Sequence, residues 1–195
     1  MQKFVKFIVT GFYIGTSPIC PGTFGSLLAF PLCLGLLKIC ATFNIKISIP
    51  ALPQAQQELL GIVVVFVFVC ASIFIIGKYL TDIYIREVQR EDPKEVVIDE
   101  IAGQMLTIIL SCFCYIFAHN SYLVDTLSYA MIDFIFLFLL PFGFFRLFDI
   151  CKPWPINWLD QNIKGGFGVM LDDFVAGFFA SVMCYAFTFI IIGKY

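Results

Sequence analysis

An all-α, polytopic membrane bundle of about five transmembrane spans, led by an N-terminal interfacial helix, is the fold this 195-residue sequence predicts. Three observations carry it. The chain is 61% apolar with a mean hydropathy of +0.95, against about 45–50% apolar residues in soluble domains. Five apolar runs approach the roughly 20 residues a helix needs to cross a bilayer. None of them alternates with the period of two that marks a half-buried strand. The length is that of one domain, taken as residues 1–195.

Taken in order, the chain opens with Lys3–Gly15, a short apolar run with two lysines at its start. It is read as an interfacial helix. No cleavage-site pattern follows, so it is expected to be retained, not removed as a signal peptide. A turn-rich segment comes next, from Thr16 to Ser26, with two prolines and the hydroxyls of Thr16, Ser17, Thr23 and Ser26. The expected spans are Phe24–Ala41, Leu59–Gly77, Ile101–Ala118, Leu127–Phe145 and Phe174–Ile192. The fourth contains Asp133, which is expected to face the bundle interior. The loop Lys78–Glu100 mixes both charge signs at helical spacing and is read as a solvated helical face.

Lysine and arginine fall unevenly about these spans. The N-terminus, the Lys78–Glu100 loop and the Arg146–Asp173 loop share one side and hold nine of the 12 cations. The positive-inside rule therefore places that side in the cytoplasm. A net charge of −2 without any basic run gives no support for a nucleic-acid partner. The eight cysteines include no CxxC pair, so zinc is not expected. They are read as small packing groups, Cys20 and Cys151 included.

The polar residues concentrate in one stretch. From Arg146 to Asp173, four carboxylates (Asp149, Asp160, Asp172, Asp173) and three cations (Arg146, Lys152, Lys164) gather in a chain only 13% charged. Each charge near hydrocarbon costs about 2.5–3.5 kcal/mol on insertion scales, so such a gathering implies function. Trp154 and Trp158 are read as interface anchors. Two acidic pairs stand at comparable places. Asp99-Glu100 precedes Gly103, and Asp172-Asp173 precedes Gly177. Both pairs are expected to begin membrane helices, where the dipole favours acids. The glycines should let the two helices approach closely as neighbours.

Clustered acids repel one another unless a cation lies among them. Mg²⁺, which takes hard oxygen ligands, is the expected ion, and the neighbouring Arg and Lys point to an anionic, phosphate-bearing substrate. The Gly165-Gly166-x-Gly168 turn could add an anion-binding nest or be a plain turn. Other phosphatase chemistries leave marks absent here: no Cys is followed by Arg six residues later, no DxDx[TV] occurs, and the single His119 excludes a histidine-pair site. There is no P-loop either. Metal-assisted attack by water remains. A carrier or channel whose acids line an ion path is the non-enzymatic alternative.

At these residues the chain resembles the phosphatidylglycerophosphatase A family. Three blocks carry the resemblance: Gly15-Thr16-Ser17-Pro18 through Pro21-Gly22-Thr23-x-Gly25-Ser26; Asp99-Glu100-x-x-Gly103; and Phe145-Arg146-x-x-Asp149 through Lys152-Pro153-Trp154-Pro155 to Gly165-Gly166-x-Gly168-x-Met170-x-Asp172-Asp173. They extend over about residues 10–185, with residues 38–60 and 111–135 unmatched. The resemblance implies a Mg²⁺-dependent lipid phosphatase of the bacterial inner membrane, hydrolysing phosphatidylglycerophosphate to phosphatidylglycerol. Another lipid phosphate is the alternative substrate. Asp99, Glu100, Asp149, Asp172 and Asp173 are expected as metal and water-activating residues, with Asp160 behind them. Arg146, Lys152 and Lys164 are expected to bind phosphate, with Thr16, Ser17 and Thr23.

Overall fold

The structure, a computed structural model, describes residues 2–50, 54–91, 93–122 and 134–192. Among these residues there are seven α-helices and no strand. They are α1 (Gln2–Val9), α2 (Pro21–Thr42), α3 (Gln54–Val88), α4 (Ile98–Tyr122), α5 (Leu140–Cys151), α6 (Ile156–Asn162) and α7 (Gly165–Ile192). A 3₁₀ turn at Ile14–Thr16 leads toward α2, and a π-helical turn at Ile135–Leu139 runs into α5.

Among the described residues three helices are long and apolar enough to cross a membrane: α2, α3 over Gln57–Val88 and α7 over Gly165–Ile190. This is a membrane protein. The other two expected spans have helix over Ile98–Tyr122 and over the described part of the fourth. Asp133 lies outside the described residues.

Several boundaries differ from expectation. The N-terminal helix ends at Val9, six residues early, because Gly11, Phe12 and Tyr13 all take positive φ and turn the chain. Its Val5 and Val9 bury against Tyr84, Val96, Ile98 and Met170. α3 runs 35 residues, about 50 Å at 1.5 Å per residue, so it outreaches a roughly 30 Å hydrocarbon core and carries the polar loop out of it as helix. α7 begins at Gly165, nine residues before the expected start. Its first turn is capped from a distance: the Asp82 carboxylate on α3 accepts the Gly166 N–H at 2.6 Å. No local sequence pattern announces such a cap.

α7 is the hub. It packs along α4 and against α3, α5 and α6, while α2 packs on α4. Where α4 and α7 cross, glycine faces glycine. A side chain at Gly103 would strike the Asp173 carbonyl, and one at Gly177 would strike Gly103. One turn on, Thr107 Oγ1 donates to the Gly177 carbonyl at 3.1 Å. Such cross-helix bonds are worth about 0.6 kcal/mol in membrane bundles, so close packing carries most of this contact. The expected pairing of these two helices is therefore present. Apolar clusters fill the space on either side, one around Ala29, Phe66, Ile101 and Met105, another around Phe145, Ile156 and Ala180. Cys33, Cys40, Cys70 and Cys184 are buried as expected, whereas Cys20 and Cys151 are exposed at helix ends and do not pack.

Candidate active site

The N-terminal ends of α2 and α4, the first turns of α7 and the C-terminal end of α5 meet at one end of the bundle. They enclose a cavity of ≈ 580 Å³. Asp99, Glu100, Asp149, Asp172, Asp173, Arg146, Lys152, Lys164, Thr23 and Asp160 all line it. Thr16 and Ser17 do not; they line an adjoining recess.

One carboxylate oxygen each from Asp99, Glu100 and Asp173 lies within 4.8 Å of the other two. Asp99 and Asp173 are buried, and Glu100 Oε2 has no hydrogen-bond partner. Three hard anionic oxygens at such spacing, with a buried and unpartnered oxygen on Glu100, fit a divalent cation of the Mg²⁺ kind. Glu100 reaches this position because α2 presents Gly22 to it. Any side chain at Gly22 would collide with the Glu100 carboxylate. Asp149 faces Glu100 and Asp173 from α5.

The two acidic pairs repeat one local geometry. Asp99 Oδ1 accepts the Glu100 amide at 3.0 Å, and Asp172 Oδ1 accepts the Asp173 amide at 3.0 Å. Their helical context differs. Asp99 and Glu100 occupy the first turn of α4, as expected. Asp172 and Asp173 sit two turns inside α7, so the dipole of its first turn does not account for them. Asp172 is held instead by Lys152, whose ammonium donates to it at 2.6 Å and to Asp160 at 2.9 Å. The sequence-predicted convergence thus holds for Asp99, Glu100 and Asp173, with Asp172 turned to a cation.

Lys152 ends α5 with a left-handed backbone, φ 40°, which aims its side chain back over the cavity. Burial pulls its ammonium toward neutrality, but the carboxylates of Asp172 and Asp160 outweigh burial and raise its pKa above the ordinary lysine value. It stays charged. Arg146 Nη1 pairs with Asp149 and donates to Ser26 Oγ at 3.3 Å. Ser26 Oγ in turn donates to the Gly22 carbonyl at 2.9 Å, tying the guanidinium to the first turn of α2. That turn has no side-chain cap, and Thr23 within it faces the cavity. Uncapped helix amides attract anions.

Lys164 is different. Its side chain is 61% exposed and its nearest carboxylate is Glu91 at 3.9 Å, so it stands at the rim. The glycine turn beside it is no free anion nest, because Asp82 already occupies the Gly166 amide. Thr16 Oγ1 donates to the Tyr13 carbonyl at 2.6 Å and Ser17 Oγ to that of Ile19 at 3.1 Å, so both hydroxyls cap turns. Trp154 is 82% exposed and Trp158 half-exposed, consistent with anchors at a membrane surface. Sequence reasoning missed Asp82 and Lys94. Both fell in the charged loop read as a solvated face, and only the tertiary fold brings them to the cavity and its caps.

Apolar helices that gather five acids and two buried-side cations at one end define a membrane-embedded enzyme for an anionic substrate. Comparison with known proteins makes that class specific. A family profile described as Phosphatidylglycerophosphatase A matches residues 7–188. The Phosphatidylglycerophosphatase A of Escherichia coli K12 is 31% identical over 178 residues, 91% of this chain and 80% of that protein. The protein of the same name from Haemophilus influenzae is 29% identical, covering 93% of this chain and 87% of its own. A putative phosphatidylinositol-3-phosphatase from Bacteroides thetaiotaomicron is 29% identical, covering 90% and 88%. No solved structure matches the chain. The chain belongs to the phosphatidylglycerophosphatase A family and is a phosphatase.

Proposed function

We propose that this phosphatase removes the terminal phosphate of phosphatidylglycerophosphate, leaving phosphatidylglycerol, in a Mg²⁺-dependent reaction at the cytoplasmic face of the bacterial inner membrane. The observation that carries the reading is the closeness of the Asp99, Glu100 and Asp173 oxygens in a cavity that also holds Arg146 and Lys152. The names of two relatives support the substrate. The nine-to-three division of cations supports the side of the membrane, and the five-span topology goes with it.

Asp99, Glu100 and Asp173 would hold Mg²⁺, with Asp149 beside them. When bound, the ion supplies polarisation of the phosphoryl group and a lowered pKa for water. The chain's own residues do the rest. Arg146 and Lys152 take phosphate oxygens, Arg146 as a fork and Lys152 as a point charge. Thr23 and the uncapped first turn of α2 lie across from them. A carboxylate of the cluster accepts a proton from the attacking water as its oxygen bonds to phosphorus. The bond from phosphorus to the glycerol oxygen breaks, and that oxygen leaves as the alcohol, taking a proton from solvent water while the carboxylate later returns its own to solvent.

The test is phosphate release by the purified protein in detergent, with and without Mg²⁺. Release from phosphatidylglycerophosphate that stops on chelation and returns with Mg²⁺ is expected. Phosphatidylinositol 3-phosphate, the substrate class of the third relative's name, is the competing lipid. Faster turnover of that lipid would replace the proposed substrate. Ion flux across vesicles with no hydrolysis of either lipid would sink the enzymatic reading altogether.

A further inference from the structure

Beside the main cavity lies a second recess of ≈ 350 Å³. The two hollows share a wall, since Pro21 and Lys94 line both. Their chemistry differs. The recess offers Lys6, Lys94, Thr16 and Ser17 against one carboxylate, Glu95. Glu95 is partly occupied, its Oε1 accepting the Tyr84 hydroxyl at 3.1 Å. Among the described residues neither Lys6 nor Lys94 is in an ion pair. Two unpaired ammonium groups in one concavity attract an anion. The neighbouring chain also says where that anion comes from. Phe12, Tyr13 and Ile19, on the segments that bound the recess, are all exposed. Apolar groups around a lysine-lined hollow fit a segment lying at the level of lipid headgroups.

We propose that this recess is a second anion subsite, which takes the phosphodiester of the lipid whose terminal phosphomonoester enters the main cavity. The second half of that statement rests on the phosphatase reading above. A lipid with a phosphorylated headgroup carries two phosphoryl groups joined by a short alcohol, and two hollows with a common wall suit such a pair. The recess lacks the acidic cluster of its neighbour, so it binds a phosphodiester without cleaving it. Anchoring the diester there holds the lipid with its monoester next door, a contact that is the same in the ground and transition states and therefore lowers KM. The hydroxyls of Thr16 and Ser17, already donated to backbone carbonyls, shape the recess and leave the charge to the lysines.

The test uses the detergent-solubilised protein with Lys6→Gln, Lys94→Gln and the double variant. Both lysines are exposed, so folding is unaffected, checked by an unchanged Tm. Binding is read with dihexanoyl phosphatidylglycerol, which carries the diester alone, followed by tryptophan fluorescence. Its Kd should rise about tenfold in the double variant, the size of two exposed charge-assisted contacts. Turnover is read with phosphatidylglycerophosphate and with glycerol 3-phosphate, which carries the monoester alone. In Lys6→Gln, which lines the recess and not the main cavity, the preference for the lipid should fall about threefold, through KM and not kcat. Equal losses on both substrates, or an unchanged Kd for phosphatidylglycerol, would overturn the subsite. If the parent protein hydrolyses neither substrate but the variants still lose phosphatidylglycerol binding, the subsite stands and the phosphatase substrate falls.

Discussion

Two acidic pairs, nearly identical on paper, have been put to different use. Asp99-Glu100 opens α4 and Asp172-Asp173 lies two turns into α7. In each, the first carboxylate accepts the next residue's amide, and in each a glycine further along makes the helix crossing. The backbone has repeated itself. The surroundings have not. On α4 both acids face the cluster, Asp99 buried and Glu100 pressed toward Gly22. On α7 the pair is divided: Asp173 joins Asp99 and Glu100, while Asp172 is drawn away by Lys152. A sequence motif fixes where two carboxylates start, and the nearest cation decides where each one points.

That division makes unequal losses within one pair the sharpest prediction. Asp173→Asn should lower kcat/KM for phosphatidylglycerophosphate by about 10³-fold or more, in the range for losing a group that activates the attacking water or its ion. It should also weaken Mg²⁺ activation, read as the Mg²⁺ concentration giving half-maximal rate. A loss under tenfold with unchanged Mg²⁺ response would break the assignment of Asp173 to the cluster.

Asp172→Asn comes second. Here the carboxylate acts by holding Lys152, so the expected loss is about 10–100-fold, as for groups that orient those touching the reacting atoms. Lys152→Gln should cost a similar factor, and the two together little more than either alone. That non-additivity is what a coupled pair gives. Fully additive losses would mean that Asp172 and Lys152 act separately and that the contrast between the two acids has been drawn wrongly.

The cap on α7 should matter less. Asp82→Ala removes the oxygen that accepts the Gly166 amide, so a few-fold loss of activity and a lower Tm are expected, about 0.5–2 kcal/mol for a lost cap. No change in Tm would remove Asp82 as the group that sets where α7 begins.

Asp82 also shows why the sequence disclosed some of this molecule and not the rest. The class of fold, the pairing of α4 with α7 and the gathering of charge at one end follow from short-range signals: apolar runs, a glycine one turn after each acidic pair, the sign of each loop. Several departures from expectation involve a long-range partner, and one a local turn. α7 starts early because a carboxylate 84 positions earlier caps it. Asp172 leaves the cluster because Lys152 arrives through a left-handed turn at the end of α5. Thr16 and Ser17 part company with Thr23 because Gly11 to Tyr13 fold back on themselves before α2 begins. None of these can be read from residue type or spacing alone.

Lys152 and Lys164 repeat the lesson for cations, and Lys164 supplies the smallest expected effect. Both were expected to bind phosphate, and both line the cavity. Lys152 has 29% of its side chain exposed and two carboxylates at hydrogen-bond distance, whereas Lys164 has 61% exposed and one distant partner that is itself 81% exposed. Charges so exposed interact through water, where an ion pair contributes about 0–1 kcal/mol and salt screens it. Lys164→Ala should therefore change kcat by less than about twofold, with at most a modest rise in KM that vanishes at high ionic strength. The measurement is KM for phosphatidylglycerophosphate at two salt concentrations. A tenfold fall in kcat, insensitive to salt, would mean that Lys164 swings inward onto the bound phosphate, and the rim would then have to be counted as part of the site.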